Sequence, residues 1–454
     1  MSTTAITPDL RIPGAACHAW TARPWHLALL GIGFAALVLS RKPGVLLHAT
    51  LWGDDGWSWY PDAYNLGIAS LAKPMNGYLN TFQRLIGLAV QPFPLAWVPT
   101  LFAAAGLAMQ VAPALFLVSG RMAKAWPQSW ARLAFALIVL VLPNELDLYV
   151  NLTNSQWHLA LLAFLVLVST PPETRAGWIF DALVLLLCGL SGPFCLLLAP
   201  VATWQVVEQR SRTSVVRAAI LGGTALVQVG CMLGSPHARS AAPLGAGPRL
   251  LARIVALDVL LGAQLGFFTL RDIPALPHWQ DNLLPIAIAA AGAVLGTIAL
   301  LRGPPLLRKF ALFAGLVFVA ALASPQVSTS DSHWIMKTTD GVVHVIVNQY
   351  AHVPQWMVMT IPPMGNRYYT FPMLAWIGVL FTLAADRRPV LRGVGLALLA
   401  VMLVWAIPHD WRQLRFPPTD FVARARAFAV APRYTVMEFP VDPPGLNPMF
   451  LLKH

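Results

Sequence analysis

The stretch VPTLFAAAGLAMQVAPALFLVS, residues 98–119, is the clearest indication of the fold class. It carries no charged side chain, and an α-helix of about 20 such residues crosses the roughly 30 Å hydrocarbon core of a bilayer. Comparable apolar runs recur along the chain from residue 25 to residue 407. We therefore predict an all-α polytopic membrane protein.

The composition supports the same fold class. Hydrophobic residues make up 57% of the 454 residues and charged residues only 11%, less than half of the roughly 25% found in soluble domains. We predict about eleven transmembrane helices, at the apolar runs near 25–40, 98–119, 131–143, 157–170, 178–190, 193–207, 218–233, 284–301, 310–323, 370–385 and 393–407. The first run has no convincing small-residue cleavage site after it, so we interpret it as a retained signal anchor.

The basic residues predict how the chain is threaded. The net charge of +12 could suggest nucleic-acid binding, but the Lys and Arg residues are spread over short turns between apolar runs, where they report topology and give no support for a nucleic-acid partner. The positive-inside rule assigns four clusters, and with them the N-terminus, to the cytoplasm. These clusters are Arg121/Lys124/Arg132, Arg210/Arg212/Arg217, Arg302/Arg308/Lys309 and Arg387/Arg388/Arg392.

This threading defines the domain organisation. We predict a transmembrane bundle over residues 1–407 and a small extramembrane C-terminal segment over 408–454. The outer loops of the bundle are 41–97, 144–156, 234–283 and 324–369. Residues 251–270 are also apolar, but a span there would place the third basic cluster outside, so we interpret them as re-entrant or interfacial.

The first outer loop contains LWGDDGWSWYPDAYN, residues 51–65. The carboxylates of Asp54 and Asp55 are adjacent, and two like charges side by side raise the pKa of one of them, which can then serve as a general base. The alternative is a solvated Asp-Asp-Gly turn. Trp57 and Tyr60 could stack on a sugar ring, or they could belong to the aromatic belt at the membrane interface.

The connector PNELDLYVNLTNSQWHLAL, residues 143–161, is unusually polar for its length. The amides of Asn154 and Gln156 could hydrogen-bond several hydroxyl groups of a sugar or acceptor. The alternative is that these polar side chains cap a hydrated helix N-terminus and bind no ligand. His158 is the weakest candidate, because a single histidine on an apolar helix more often satisfies a backbone group than binds a metal.

A third polar element, MGNRYYTFPMLAW at residues 364–376, precedes a late apolar run. The planar guanidinium of Arg367 suits a phosphate, with Tyr368 beside it. The alternative is an interfacial anchor. Motifs for nucleotide hydrolysis, zinc proteolysis and serine hydrolysis are absent from the sequence, and Cys17, Cys188, Cys195 and Cys231 form no disulfide or metal-site pattern, so no metal ligand is predicted.

Together these elements resemble the GT-C class of multispanning membrane glycosyltransferases. The resemblance lies in GDDGWSWYPDAYN, NLTNSQWHL, NRYY and the C-terminal VMEFPVDPPGLNPMF. It implies that a polyprenyl-phosphate sugar is the donor and that a glycan, lipid or protein is the acceptor. It also implies transfer with inversion on the outer face of a cell membrane, which for a bacterial inner membrane is the periplasmic face.

The resemblance also implies roles for the site residues. Asp54 or Asp55 would be the catalytic base, and we favour Asp55 because it adjoins the flexible Gly56. Arg367 and Tyr368 would bind the donor phosphate, with a second positive charge from Lys337, Arg271 or Arg84. The acceptor or sugar would contact Trp57, Tyr60, Asn154, Gln156 and His158. No cofactor is required, although a divalent cation could assist.

Two other functions use the same residues. In a transporter or flippase of lipid-linked sugars, the carboxylates would relay protons or bind a cation. The chain shows no internal repeat, however, and its polar residues gather at one face instead of the middle of several spans. A noncatalytic assembly protein of envelope polysaccharide is the third hypothesis.

Overall fold

A computed structural model of the chain describes residues 24–235, 242–327, 333–339, 342–348, 353–362, 364–443 and 448–454. The predicted cytoplasmic N-terminus lies outside these ranges, as do parts of the predicted outer loops 234–283 and 324–369 and of the C-terminal segment. The described chain is mostly helical, as predicted.

The structure describes α-helices along most of these ranges. In the first half they are α1 (Pro24–Arg41), α2 (Tyr60–Leu66), α3 (Thr81–Ala89), α4 (Val98–Val118), α5 (Ser129–Leu140), α6 (Ser155–Val168), α7 (Arg175–Gly189), α8 (Phe194–Gln209), α9 (Arg212–Gly234) and α10 (Pro248–Ile254). In the second half they are α11 (Gly262–Leu265), α12 (Phe267–Leu270), α13 (Pro277–Gln280), α14 (Leu283–Arg302), α15 (Pro305–Ala323), α16 (Gln355–Val358), α17 (Thr370–Ala384), α18 (Pro389–Val401), α19 (Ile407–His409) and α20 (Phe421–Val430).

Each apolar run predicted to span the membrane forms a helix. Within the described residues, five helices are long and apolar enough to cross a bilayer: Leu95–Val118, Arg212–Gly234, Leu283–Arg302, Pro305–Ala323 and Pro389–His409. Four of the other runs form shorter apolar helices, among them α5 and α6. The membrane character is therefore supported by length and composition, and the number of spans stays a prediction.

Two small antiparallel sheets depart from the all-α prediction. Strands β1 (His333–Thr339) and β2 (Val342–Asn348) pair within the predicted outer loop 324–369. Strands β3 (Val436–Phe439) and β4 (Met449–Leu452) pair in the C-terminal segment. Strand β3 packs on α20 through Phe439 and Phe428, whose ring centroids are 5.6 Å apart. These side chains belong to a hydrophobic cluster that also contains Trp59 and Phe102, so the C-terminal segment packs on the first loop and α4.

The segment predicted to be re-entrant or interfacial is a bent helix. It runs from α10 through a π-helical turn at Val255–Leu261 into α11 and breaks at Gly266, where φ is +76°. The Asp410 carboxylate accepts hydrogen bonds from the N–H groups of Phe267 (2.6 Å) and Phe268 (3.2 Å) just after this break. It also accepts the N–H of Asn144 at 2.8 Å, so it ties the segment to the polar connector.

Ion pairs, of which those of Asp181 are the most buried, connect the basic clusters at one end of the bundle. Asp181 on α7 binds Arg121 through both carboxylate oxygens, at 2.6 and 2.8 Å, and Arg217 on α9 at 2.6 Å. Further pairs join Lys309 to Glu208 and Arg302 to Asp386. Because these pairs connect loops from all four clusters, the clusters lie at the same end.

The buried Asp181 pairs give a stability prediction. Asp181 is 2% exposed, and Asp181→Asn would leave two guanidinium groups without their countercharge, so we expect a loss of about 3–5 kcal/mol. Thermal unfolding in detergent measures the change. The control is Asp420→Asn, which removes an exposed pair with Arg424 and should shift the unfolding temperature far less. Equal shifts for the two variants would contradict the structural role of Asp181.

The polar connector between α5 and α6 is buried rather than placed on the surface. Its backbone bonds to side chains from other elements: Gln110 Oε1 accepts the N–H of Val150 at 3.1 Å, and Asn366 Oδ1 accepts that of Asp147 at 3.2 Å. Asn366 Nδ2 also donates to the carbonyl of Asn144 at 3.2 Å. Helix α4 and the 3-10 turn Asn366–Tyr369, which precedes α17, thus hold an irregular segment inside the protein, because buried backbone groups must find partners.

Candidate functional site

The two adjacent aspartates have different surroundings. Asp55 is buried; its Oδ2 accepts the N–H of Trp52 at 3.2 Å and its Oδ1 accepts the hydroxyl of Thr153 at 2.7 Å. Burial raises the pKa of Asp55 to about 7, although these two hydrogen bonds oppose the shift. Because both oxygens are engaged, Asp55 fastens the first loop to the connector.

Asp54 is half-buried, and its carboxylate accepts no hydrogen bond from the residues that the structure describes. Burial raises the pKa of Asp54 to about 6, and the positive charge of Arg367 opposes this shift. The carboxylate of Asp54 and the guanidinium of Arg367 in turn both affect the half-buried phenol of Tyr78, whose pKa is raised to about 12, mainly by desolvation. Asp54, Tyr78 and Arg367 therefore share one electrostatic environment.

Arg367 is held in place in the 3-10 turn just before α17. Its Nη1 donates to Asp147 Oδ2 at 3.1 Å, and its Nη2 donates to the carbonyl of Gln326 at 2.9 Å and to the Tyr368 hydroxyl at 3.2 Å. The guanidinium carbon lies 4.7 Å from the centroid of the Tyr368 ring. The side chain is nevertheless 26% exposed, so an anion can approach a guanidinium whose orientation is fixed.

We call Asp54, Tyr78, Asp147, Arg367 and Tyr368 the Asp54–Arg367 centre. It combines a fixed cation with a carboxylate that accepts no hydrogen bond from the described residues, and such groups can stabilise a developing negative charge and accept a proton. Burial raises the pKa of Asp147 above its usual value, and the positive charge of Arg367 only partly opposes this shift. Within the described residues, no group of three or more His, Cys, Asp and Glu could hold a metal ion.

The predicted polar ligands of the connector mostly bind the protein itself. Asn154 Nδ2 donates to the carbonyl of Asp147 at 2.8 Å, and Gln156 Oε1 accepts from Gln83 at 3.2 Å. The Nε2 atom of the buried His158 lies 3.1 Å from the carbonyl of Leu148. Asn154 therefore supports the backbone of Asp147, and His158 satisfies a backbone group, which was the alternative to a ligand role.

The two predicted aromatic contacts lie in different environments. Trp57 is 39% exposed. Tyr60 is buried in a hydrophobic cluster with Trp59, Phe102 and Phe421, so its ring is not an open platform for a sugar. Of the two, Trp57 is the one whose ring a ligand could reach.

The predicted second cation is not found beside Arg367 among the described side chains. Arg84 is buried and pairs with Asp62 at 2.9 Å. The Nε atom of Arg271 lies 3.7 Å from a carboxylate oxygen of the exposed Asp272. Lys337 lies in β1, whose side chains are outside the described residues.

A cavity of about 430 Å³ also borders the connector. Lys42, Arg415 and Asp442 line it together with Trp52 and Asn151, so the first loop, the connector and the C-terminal segment all contribute. Asp54 and Arg367 do not line this cavity.

Sequence reasoning gave no role to Asp147, which binds Arg367, and it missed four further residues that form or support the centre. Tyr78 belongs to a tight turn in which Met75 and Tyr78 pair. The side chain of Asn366 binds the backbone of the connector at Asp147, and the carbonyl of Gln326 accepts a hydrogen bond from Arg367. The hydroxyl of Thr153 donates a hydrogen bond to the carboxylate of Asp55. Asn366 and Thr153 had a signal, because they lie in the NRYY and NLTNSQWHL elements. No protein-family model, curated protein or solved structure matches the chain.

Proposed function

We propose that the chain is an integral membrane glycosyltransferase. It would move a sugar from a polyprenyl-phosphate donor to a glycan, lipid or protein acceptor on the face opposite the basic clusters. The observation that carries this proposal is the half-buried carboxylate of Asp54, which has no hydrogen-bond donor among the described residues and lies in the field of the fixed Arg367.

In the proposed reaction, Asp54 removes the proton from the acceptor hydroxyl. The acceptor oxygen then bonds to the anomeric carbon, and the bond from that carbon to the donor phosphate oxygen breaks with inversion. The phosphate leaves with the electron pair, and Arg367 stabilises its charge. Asp54 is preferred to Asp55 as the base, because the oxygens of Asp55 already accept hydrogen bonds from Trp52 and Thr153.

The proposed location is a multi-pass cell membrane, with the bacterial inner membrane and a periplasmic active face as the specific case. Five helices suited to crossing a bilayer support a membrane location. The ion pairs of the basic clusters support the orientation, because they place those clusters together at one end and basic loops remain in the cytoplasm.

The proposal predicts a pH dependence. Asp54 must be deprotonated to act as a base, and its pKa is about 6, so transfer should be nearly constant above about pH 7 and fall about tenfold per unit below about pH 6. Donor binding is measured at each pH as the control. A rate that stays constant from about pH 7.5 to about pH 5 would contradict a base with this pKa.

Reconstitution tests the proposed activity. The purified full chain in proteoliposomes receives a panel of polyprenyl-phosphate sugars, with a membrane lipid extract as the acceptor and nucleotide sugars as the control donors. We expect transfer or release of sugar from at least one lipid-phosphate donor. Movement of an intact donor across the vesicle membrane would favour the transporter, and donor binding without cleavage would favour the assembly protein.

A further inference from the structure

A large apolar cavity lies at the basic end of the bundle. It has a volume of about 700 Å³ and is bounded by α4, α5, α6, α15 and α17, within the about 300–1,000 Å³ of ligand sites. Its deep wall consists of apolar side chains that include Phe135, Val139, Phe164, Phe310 and Phe381. Such a wall has hardly any group to orient a polar ligand, and it suits a hydrocarbon chain.

The mouth of the cavity is positively charged. Arg302, Arg387 and Arg388 line it with a single acidic residue, Asp386. Arg302 lies 3.6 Å from Asp386. Arg387 and Arg388 are exposed, and their guanidinium groups make no ion pair with the described residues. Two arginines at the mouth are therefore available to an anion.

Two tryptophan side chains indicate where the mouth of the cavity lies relative to the bilayer. Trp126 and Trp130 line the cavity beside the arginines, and Trp130 is 70% exposed. Trp126 packs edge-on against Phe135 and Phe381, with ring centroids 5.4 and 6.1 Å away. Tryptophan is enriched where a membrane protein meets the lipid head groups, so the mouth fits the level of the head groups.

The cavity is far from the Asp54–Arg367 centre. Helix α17 has 15 residues and is therefore about 22 Å long. Arg367 precedes its first turn, and Asp386 follows its last. An occupant of the cavity mouth does not reach the centre, so the cavity is not the donor site of the proposed reaction.

We propose that this cavity binds an anionic phospholipid of the leaflet at the basic end, with an acyl chain against the phenylalanine wall and the head-group phosphate between Arg387 and Arg388. Guanidinium groups bind phosphate through charge-assisted hydrogen bonds, and basic pockets between transmembrane helices on the cytoplasmic side bind anionic head groups. This proposal does not depend on the proposed glycosyl transfer.

Lipid retention tests the proposal. The full chain is delipidated in detergent and titrated with dioleoylphosphatidylglycerol or dioleoylphosphatidylcholine, and bound lipid is counted by native mass spectrometry. We expect the anionic lipid to bind about tenfold to thirtyfold more tightly, from two arginine contacts. Arg387→Ala/Arg388→Ala should remove this preference. Arg212→Ala/Arg392→Ala should keep it, because those two arginines belong to the same basic end but do not line the cavity.

A second pair of variants tests whether an acyl chain occupies the apolar part of the cavity. Thr382 lines the cavity, so Thr382→Phe should fill it and reduce retention of both lipids. Thr203→Phe is the matched control, since Thr203 is exposed on α8 and its hydroxyl also donates to the carbonyl four residues earlier. Equal affinity of the wild type for the two lipids, or undiminished retention by folded Thr382→Phe, would overturn the proposal.

Discussion

Asp54→Asn is expected to lower sugar transfer by about a hundredfold to ten-thousandfold, the cost of removing a general base. Asparagine keeps the shape of the side chain and removes its basicity. The carboxylate of Asp54 makes no hydrogen bond to the described residues, so the protein should fold normally and should still bind the donor. Transfer is measured alongside thermal unfolding and donor binding.

The matched control is the neighbouring Asp55→Asn. This substitution weakens the hydrogen bonds to Trp52 and Thr153, so it should cost about 1–3 kcal/mol of stability and should change the rate less than Asp54→Asn does. Near-normal turnover by folded Asp54→Asn would remove Asp54 as the base. A far larger rate loss in folded Asp55→Asn would transfer that role to Asp55.

Arg367→Ala is expected to lower the rate by about a hundredfold to a thousandfold, as for other donors that stabilise developing negative charge. Arg367→Lys keeps the charge but loses the planar fork, and it should weaken donor use by about tenfold to a hundredfold, the value of one charge-assisted hydrogen bond. Rate constants and donor affinity are measured separately, because stabilisation of the leaving phosphate should appear mainly in the rate.

Arg271→Lys is the control for Arg367→Lys. Both arginines lie over the ring of a nearby aromatic residue, at 5.9 Å from Phe268 and 4.7 Å from Tyr368, but Arg271 is exposed. Its replacement should leave transfer unchanged. If Arg367→Lys and Arg367→Ala both kept normal rates and donor affinity, Arg367 would be an anchor at the start of α17 and nothing more.

The helices could be predicted from the sequence because the apolar runs of a membrane protein are long and largely uncharged. Helix α4, for example, coincides with the predicted run at 98–119. The small sheets were missed although β1 and β2 flank the dipeptide Asp-Gly at 340–341, which is typical of tight hairpins. Because an all-α membrane protein was predicted, the sequence analysis assigned this segment to an outer loop in spite of that local signal.

The candidate site could be predicted only in part. Asp54 and Arg367 are conspicuous charges in polar segments, so sequence reasoning found both. Their surroundings depend on contacts between distant positions: Arg367 and Asp147 are 220 residues apart, and Asp55 and Thr153 are 98 apart. A single sequence gives no such pairing, and it therefore could not distinguish the hydrogen-bonded Asp55 from Asp54.

Single turnover of bound donor tests the central claim most directly. Wild type and Asp54→Asn are loaded with a labelled polyprenyl-phosphate sugar at about pH 7.5, a membrane lipid extract is added as acceptor, and the remaining intact donor is measured over time. Both proteins should bind the donor, and only the wild type should consume it within the assay. Equal consumption by the two proteins, or no binding of any donor by the wild type, would contradict the account.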